Sequence, residues 1–176
     1  QKSQGLAADG RCGPATWRRL QTHAEYLAYE AYPEAAGFIL VGGFLKPVSF
    51  KSIPCSPGSA YSLIGEGGHS TRTKKPTQVV WHWDAAFSSE SCYKVLKNRG
   101  VSCHGGIDND GTFIQYLDFQ DHVGWHAGNR KVNKKSIGFE ISDAVYLKYQ
   151  KYYASRWGAR PIWTAEVHGK TSTFLG

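Results

Sequence analysis

The sequence predicts an α/β domain in which a mixed central β-sheet is flanked by helices. Residues 77–81, Thr-Gln-Val-Val-Trp, are β-branched and aromatic, which is typical of a short buried strand. Residues 89–99 precede Gly100, and this order favours a helix that ends at the glycine. Residues 107–115 contain Asn-Asp-Gly between two extended segments and therefore predict a hairpin.

Further elements on either side complete this pattern. Residues 135–142 predict another strand, and residues 146–157 have apolar and aromatic positions at helical spacing, which predicts a covering helix. Upstream, the apolar run at 38–41 closes with two glycines and, with residues 44–50, predicts a small hairpin. Residues 54–75 are rich in glycine and proline and predict a long loop, in which we expect His69 to be exposed.

Length and composition favour a folded chain. The 176 residues suit one domain of ordinary size with a small appendage. The net charge of +7 favours contact with an acidic polymer. The basic residues are dispersed, without an arginine-rich arm or zinc-finger spacing, so we expect no nucleic-acid partner.

Cysteine spacing and hydropathy restrict the class further. The cysteines are Cys12, Cys55, Cys92 and Cys103, and no two form a CxxC pair, so neither a structural zinc site nor a dense disulfide framework is indicated. The spacing is still compatible with one or two disulfide bonds. No segment approaches the length of a transmembrane span, and the polar start of the chain lacks a signal-peptide pattern.

Residues that carry chemistry occur in four ordered motifs. His82 ends the strand at 77–81, and Cys103-His104 precede the hairpin. His126 lies within Trp-His-Ala-Gly, and Glu140 ends Ser-Ile-Gly-Phe-Glu in an apolar strand. Imidazoles at a strand end and on a glycine-flanked loop, together with a carboxylate in a strand, could converge on one metal-centred hydrolytic site.

This ordered set resembles the type-2 zinc-dependent N-acetylmuramoyl-L-alanine amidases over about residues 76–145. That family includes phage endolysins and is similar in fold to the peptidoglycan recognition proteins. The resemblance implies an enzyme that uses Zn²⁺ and zinc-activated water, with bacterial peptidoglycan as its partner. The bond it would cleave is the amide between N-acetylmuramic acid and the L-alanine of the stem peptide.

By the same resemblance, three residues receive roles. His82 is a metal ligand, Glu140 is the base that moves a proton from water to the leaving amine, and His126 contacts the substrate, with Gly128 allowing close approach. Each has a plainer alternative. His82 and His126 could be packed histidines, and Glu140 could be a solvent-facing strand carboxylate.

Cys103 and His104 receive no role from the resemblance. Because neighbouring residues on a strand point to opposite sides, we expect one of them to face the site and the other to pack. A cysteine nucleophile served by His104 or His126 is a competing hypothesis.

The end of the chain departs from the family pattern. Members complete the metal site with a later histidine and then an Asp or Cys, but here the only late histidine is His168, and no such residue follows it. Either His168 is the second ligand and the third is absent, or the chain stops before the ligands. We expect the second, so that residues 76–176 form a catalytic domain truncated at its C-terminus.

The start of the chain resembles the C-terminal half of a peptidoglycan-binding module. Asp9-Gly10, Gly13-Pro14 and Thr16 precede a predicted helix. An ordinary turn followed by a helix, without any wall-binding role, would have the same sequence pattern. We therefore expect a partial wall-binding module with a small helical remnant at residues 1–24, and a linker and hairpin region at residues 25–75.

Together these features predict an amidase that acts at the bacterial cell wall, phage-encoded or secreted. The alternative is a non-catalytic peptidoglycan-binding protein with an incomplete metal site. The sequence fixes no oligomeric state.

Overall fold

The computed structural model describes residues 36–55, 59–143, 146–158, 162–167 and 170–175. The strands in chain order are β1 Gly37–Val41, β2 Phe44–Val48, β3 Ser52–Ile53, β4 His69–Thr71, β5 Gln78–Trp83, β6 Gly105–Ile107, β7 Phe113–Gln115, β8 His122–Gly124, β9 Ser136–Ile141, β10 Ile162–Val167 and β11 Lys170–Leu175. The helices are α1 Ser89–Arg99, α2 Arg130–Lys135 and α3 Gln150–Trp157, the last preceded by a 3-10 turn at Leu147–Tyr149.

The central sheet has the strand order β3-β7-β6-β9-β5. The pairs β3–β7, β6–β9 and β9–β5 are parallel, whereas β6–β7 is the antiparallel hairpin predicted around Asn-Asp-Gly. Separate antiparallel pairs form between β1 and β2, β4 and β8, and β10 and β11. The predicted class, a mixed sheet flanked by helices, is confirmed.

Helix α1 covers one face of the sheet and forms the core with it. The helix begins after the Ser88 cap, whose side chain accepts from Ser91, and ends at Gly100 with φ of 62°. Its buried side chains pack against residues of the hairpin and the segment before it, in a cluster that includes Cys92, Tyr93, Leu96, Cys103, Ile114 and Tyr116. The hydroxyl of Tyr116 donates to Ser89 O at 2.7 Å, which ties the start of α1 to the sheet.

The β1–β2 hairpin is fixed to the central sheet by buried polar side chains. Gln115 exchanges two hydrogen bonds with the backbone of Leu40, at 2.6 and 2.7 Å. The carboxylate of Asp118 accepts from Gly42 and Gly43 at the hairpin turn and from two amides of its own loop. Burial acts to raise the pKa of Asp118, but these four donors hold it below its usual value. Part of the region predicted as linker and hairpin therefore packs on the sheet.

Some local predictions are wrong. His69 is not an exposed loop residue, because it lies in β4 with both ring nitrogens buried, against the His122 ring at 4.9 Å between centroids. Cys103 and His104, which we expected on a strand, lie just before β6, which begins at Gly105. The predicted strand at 135–142 and covering helix at 146–157 form, with slightly different bounds.

Several predictions fall on residues outside the described ranges. These are the partial module at 1–24, Cys12 and His168. In the described part of the chain, Cys55, Cys92 and Cys103 are buried free thiols. The same part contains no helix that is both long enough and apolar enough to cross a membrane.

The hydrogen bond from Tyr116 gives a test of how α1 is held. Tyr116→Phe should lower the free energy of unfolding by about 1 kcal/mol, because a buried hydrogen bond is lost with little change in volume. Tyr152→Phe is the matched control, since Tyr152 is exposed and its change should stay within about 0.5 kcal/mol. Urea denaturation of both variants measures the difference, and equal values would show that the bond does not stabilise the fold.

Candidate active site

His82 and Glu140 are paired across the parallel strands β5 and β9. Directly paired residues point to the same side of a sheet, so both side chains lie on the face that also carries Gly138. His82 is half-buried, and Glu140 is 9% exposed. The structure therefore brings together two of the three residues that the sequence predicted for the site.

His126 completes this group from the loop after β8. Its ring lies over Gly138, where an added Cβ would be 2.5 to 2.7 Å from the ring atoms. Only glycine at this position allows the ring to approach the sheet so closely. As a result, His126 Nδ1 lies 2.9 Å from His82 Nε2, with the rings edge to face at 5.2 Å between centroids.

The hydrogen bonds around His126 determine its tautomer. The Ser136 hydroxyl donates its one proton to Val132 O at 2.9 Å, so it must accept from His126 Nε2–H at 3.0 Å. His126 Nδ1 is then unprotonated, and the proton between the two rings belongs to His82 Nε2. A metal ion at His82 Nε2 would have to replace this hydrogen bond.

Both histidines are held in the neutral form. Burial lowers the pKa of His82. Burial, with the neighbouring His82 and Arg72 as smaller causes, lowers the pKa of His126 to about 4. Neutral imidazole is the form that binds metal ions, so the pair is ready for that role at neutral pH.

Glu140 has the opposite shift. Burial, with the charge of Asp84 as a smaller cause, raises its pKa to about 7, and Arg99 acts against this. The carboxylate of Asp84 accepts from Ala86 N at 2.8 Å and from the Ser142 hydroxyl. A carboxyl with a pKa near 7 can both accept and return a proton at neutral pH.

His104 and Cys103 are both fully buried, with Cys103 in the hydrophobic core and the His104 ring 6.1 Å from the His126 ring between centroids. His104 Nδ1 accepts from Gly138 N at 3.1 Å, so its Nε2–H donates to His122 O at 3.1 Å, and burial lowers the His104 pKa to about 3. This neutral ring fixes β9 against β8 under the site. The buried Cys103 thiol has a strongly raised pKa, which is the opposite of what a nucleophilic cysteine needs.

Sequence reasoning missed Arg72 and Ser136. The buried guanidinium of Arg72 donates to the carbonyls of His122, Lys134 and Ser136 and so joins β8, α2 and β9. Arg72 belongs to no recognisable motif, and Ser136 opens the Ser-Ile-Gly-Phe-Glu motif but received no role from it. An arginine after a run of Gly, Ser and Thr gives no sign that it will be buried, because its partners are backbone carbonyls far along the chain.

The described residues supply part of a metal site. They contain no group of three or more His, Cys, Asp or Glu side chains placed to hold a metal ion. The nitrogen donors of His82 and His126 nevertheless suit zinc by their chemistry.

Comparison with known proteins identifies the family. The sequence profile of the N-acetylmuramoyl-L-alanine amidases matches residues 72–161, just over half of the chain. The chain belongs to this amidase family. His82, His126 and Glu140 all lie within the matched segment, and the family predicted from the motifs is thereby confirmed.

No curated protein matches the chain. Among solved structures, a selenomethionine AmpD derivative is 20% identical, with a TM-score of 0.33, over 60% of this chain and 70% of the other. The Ph2119 endolysin from Thermus scotoductus MAT2119 bacteriophage Ph2119 is 17% identical, with a TM-score of 0.34, over 48% of this chain and 55% of the other. The site roles in this member of the amidase family stay predictions from its own residues.

Gly138→Ala tests the close contact that holds the histidine pair. The new methyl group should displace the His126 ring, and the His126 pKa should rise from about 4 towards 6.5 as the ring enters water. An NMR titration of the imidazole carbons in metal-free protein measures this. His104 is the internal control and should keep its pKa of about 3, whereas a shift of both would mean that the sheet has opened.

The raised pKa of Glu140 predicts a pH-dependent contribution to stability. The unfolded chain loses this proton near pH 4.5 and the folded chain near pH 7, so stability present below pH 4.5 is lost as the pH rises to 7. The free-energy difference between wild type and Glu140→Gln should therefore change by at most roughly 3 kcal/mol between pH 4 and pH 8.

Denaturation of metal-free protein at each pH measures this difference. Asp143→Asn, at an exposed position nearby, serves as the control for removal of a surface carboxylate. A flat difference for Glu140→Gln would mean that the Glu140 carboxyl titrates as it does in water.

Proposed function

We propose that this protein is a zinc-dependent hydrolase that cleaves the amide bond between N-acetylmuramic acid and the L-alanine of the peptidoglycan stem peptide. The observation that carries the proposal is the His82–His126 pair at 2.9 Å beside buried Glu140, within the segment that matches the amidase family. A catalytic domain at residues 76–176 and a wall-binding remnant at residues 1–24 are part of the same proposal.

His82 is the residue proposed to hold the metal. Its strand fixes the imidazole, and burial keeps it neutral. Bound zinc would polarise the scissile carbonyl and lower the pKa of water in the site. The ligands that complete the set are not among the described residues, so they are proposed to lie elsewhere in the protein, with His168 as one candidate.

Glu140 is proposed as the general base. Ordinary glutamate, with a pKa of about 4.3, is a weak base at neutral pH. Burial and Asp84 bring the pKa of Glu140 to about 7, where the carboxylate accepts a proton from the attacking water and the acid returns it to the leaving amine.

His126 is proposed to contact the substrate. Ser136 holds its Nε2–H, so its free hydrogen-bonding atom is Nδ1, which faces His82. When His82 binds metal through Nε2, the lone pair of His126 Nδ1 loses its donor. It is then available to an N–H or O–H group of the substrate next to the reacting bond.

The proposed place of action is the bacterial cell wall, reached by a phage-encoded or secreted protein. Peptidoglycan is the substrate that the family name implies. No nucleic acid is part of the reaction.

One observation favours a second candidate, a non-catalytic peptidoglycan-binding protein. The part of the chain that the structure describes provides no complete set of metal ligands. Such a protein would keep the groove and bind the wall without turnover.

Elemental analysis and an amidase assay separate the two candidates. The enzyme should contain near one zinc per chain and release free L-alanine amino groups from purified peptidoglycan, and a chelator should stop the release. Protein without zinc that binds the wall and releases nothing would establish the binding protein.

Single-residue variants test the roles proposed for His82, Glu140 and His126. His82→Ala should lose zinc, because its nitrogen is the proposed ligand. Glu140→Gln should keep zinc and wall binding but lose at least about 100-fold in kcat, which is the typical contribution of a general base. His126→Ala should keep zinc and lose activity, and Asp143→Asn is the control that should change neither. Unchanged zinc in His82→Ala would remove His82 from the site, and retained turnover in Glu140→Gln would remove Glu140 from the mechanism.

A further inference from the structure

We propose that a basic cleft beside the active site binds an anionic wall glycopolymer whose repeating units carry phosphodiester groups. The basic cleft lies between the β4–β8 pair and α2, has a volume of about 460 Å³, and is lined by Ser70, Val123, Trp125, Gly128, Arg130, Asn133 and Lys134. This inference rests on the proposed function, since it assigns the enzyme a second contact with the wall that carries its substrate.

The excess positive charge of the protein lies in the two segments that contribute residues to this cleft, and Arg130 and Lys134 line it. Residues 67–83 and 122–139 contain no Asp or Glu. They contain seven of the 21 basic residues, and the other 14 equal in number the 14 acidic residues of the whole chain. The net charge of +7 is therefore matched by these two segments alone, namely by Arg72, Lys74, Lys75, Arg130, Lys131, Lys134 and Lys135.

The fold brings the two segments together. Thr77 N donates to Lys135 O at 2.8 Å, which places the Lys74-Lys75 stretch beside the end of α2. Arg72 Nη1 donates to Lys134 O at 3.1 Å from beneath. None of the salt bridges found among the described residues involves these seven basic side chains. Arg72 is buried and bonded to backbone carbonyls, so the charges left for a ligand are those of the other six side chains, which are exposed.

The wall of the cleft suits a sugar-phosphate chain rather than a simple anion. Trp125 is 47% exposed and offers an aromatic surface, while Arg130 and Lys134 provide cations along the cleft. Asn133 is buried and its Oδ1 accepts from Ala127 N at 2.9 Å, which fixes its amide in the wall of the cleft. A polyol or sugar unit can pack on the indole while flanking phosphates meet the cations.

The cleft and the active site share one loop. Trp125 lines the cleft, and the next residue, His126, lies over Gly138 in the site. Trp125 N donates to the Ser102 hydroxyl at 3.2 Å, so the loop is held to the core between the two. A polymer bound in the cleft would therefore lie beside the bond to be cut.

This position favours a wall polymer over nucleic acid. Proteins that bind single strands stack successive bases on several aromatic rings. Among the residues that line this cleft, Trp125 is the only aromatic one. An anionic polymer attached to the peptidoglycan would also raise the local concentration of the substrate, which nucleic acid would not do.

Binding measurements on the full chain test the proposal. The probes are soluble poly(glycerol phosphate), a 20-mer DNA, and purified walls with or without their phosphodiester polymers. The test variant is Arg130→Ala/Lys134→Ala, and its matched control is Lys148→Ala/Lys151→Ala, which removes two exposed charges from the α3 region. Neither pair belongs to the proposed catalytic group. Hydrolysis of soluble muropeptide is measured on the same samples.

We expect wild type to bind poly(glycerol phosphate) and intact walls at least about tenfold more tightly than stripped walls or DNA in 0.15 M salt. The test variant should lose about tenfold in affinity, while the control should change less than about twofold. The slope of log affinity against log salt concentration should become shallower by about one to two units in the test variant, which corresponds to about one to two lost phosphate contacts. Both variants should hydrolyse muropeptide as wild type does.

Each other outcome overturns the proposal. Equal binding to intact and stripped walls would show that no phosphodiester polymer is recognised, and DNA binding as tight as polymer binding would show general polyanion affinity. Equal losses in test and control variants would show that the cleft is not the site. Because muropeptide hydrolysis is measured separately, failure of the amidase proposal is recognised independently of these results.

Discussion

The site depends on the parallel pairing of β5 with β9. This register places His82 beside Glu140 and Gly138 two residues earlier, under the His126 ring. In a β-sheet a slip of one residue would turn His82 to the other face and set it opposite an aromatic residue. The packing of α1 and the bonds of His104 and Arg72 all act on the strands of this pair or on their neighbours, and so maintain that register.

Of the polar groups beneath the site, His104 is neutral and Arg72 is charged but has no counter-ion among the described residues; hydrogen bonds to the backbone satisfy both. His104 is neutral and fully buried, and its two nitrogens are used by backbone groups of β9 and β8. Arg72 keeps its charge, but carbonyl oxygens surround it in place of a carboxylate. A buried ion without a counter-ion is costly unless its hydrogen bonds are satisfied, and here three segments of backbone satisfy them.

Sequence reasoning predicted the elements with strong local signals. The helix ended by Gly100, the hairpin at Asn-Asp-Gly and the strand that carries His82 all depend on residues close in the chain. The predictions were wrong where contacts between residues far apart in the chain determine the local structure. The ring nitrogens of His69 are buried because β4 pairs with β8, more than 50 residues later, and no nearby residue signals that pairing. The convergence of His82, His126 and Glu140 was inferred from motif order, whereas the Ser136 contact that sets the His126 tautomer became visible only in three dimensions.

The proton between His82 and His126 also has a consequence for the proposed metal binding. With zinc as the cofactor, the ion needs the lone pair of His82 Nε2, but in the metal-free protein that nitrogen is a donor to His126. Uptake then requires the His82 proton to move to its other nitrogen through solvent, without net proton release. Loss of one hydrogen bond costs about 1 kcal/mol, so affinity falls by less than about tenfold. Metal binding at His82, as proposed, would therefore come with a change of its tautomer and the loss of its contact to His126.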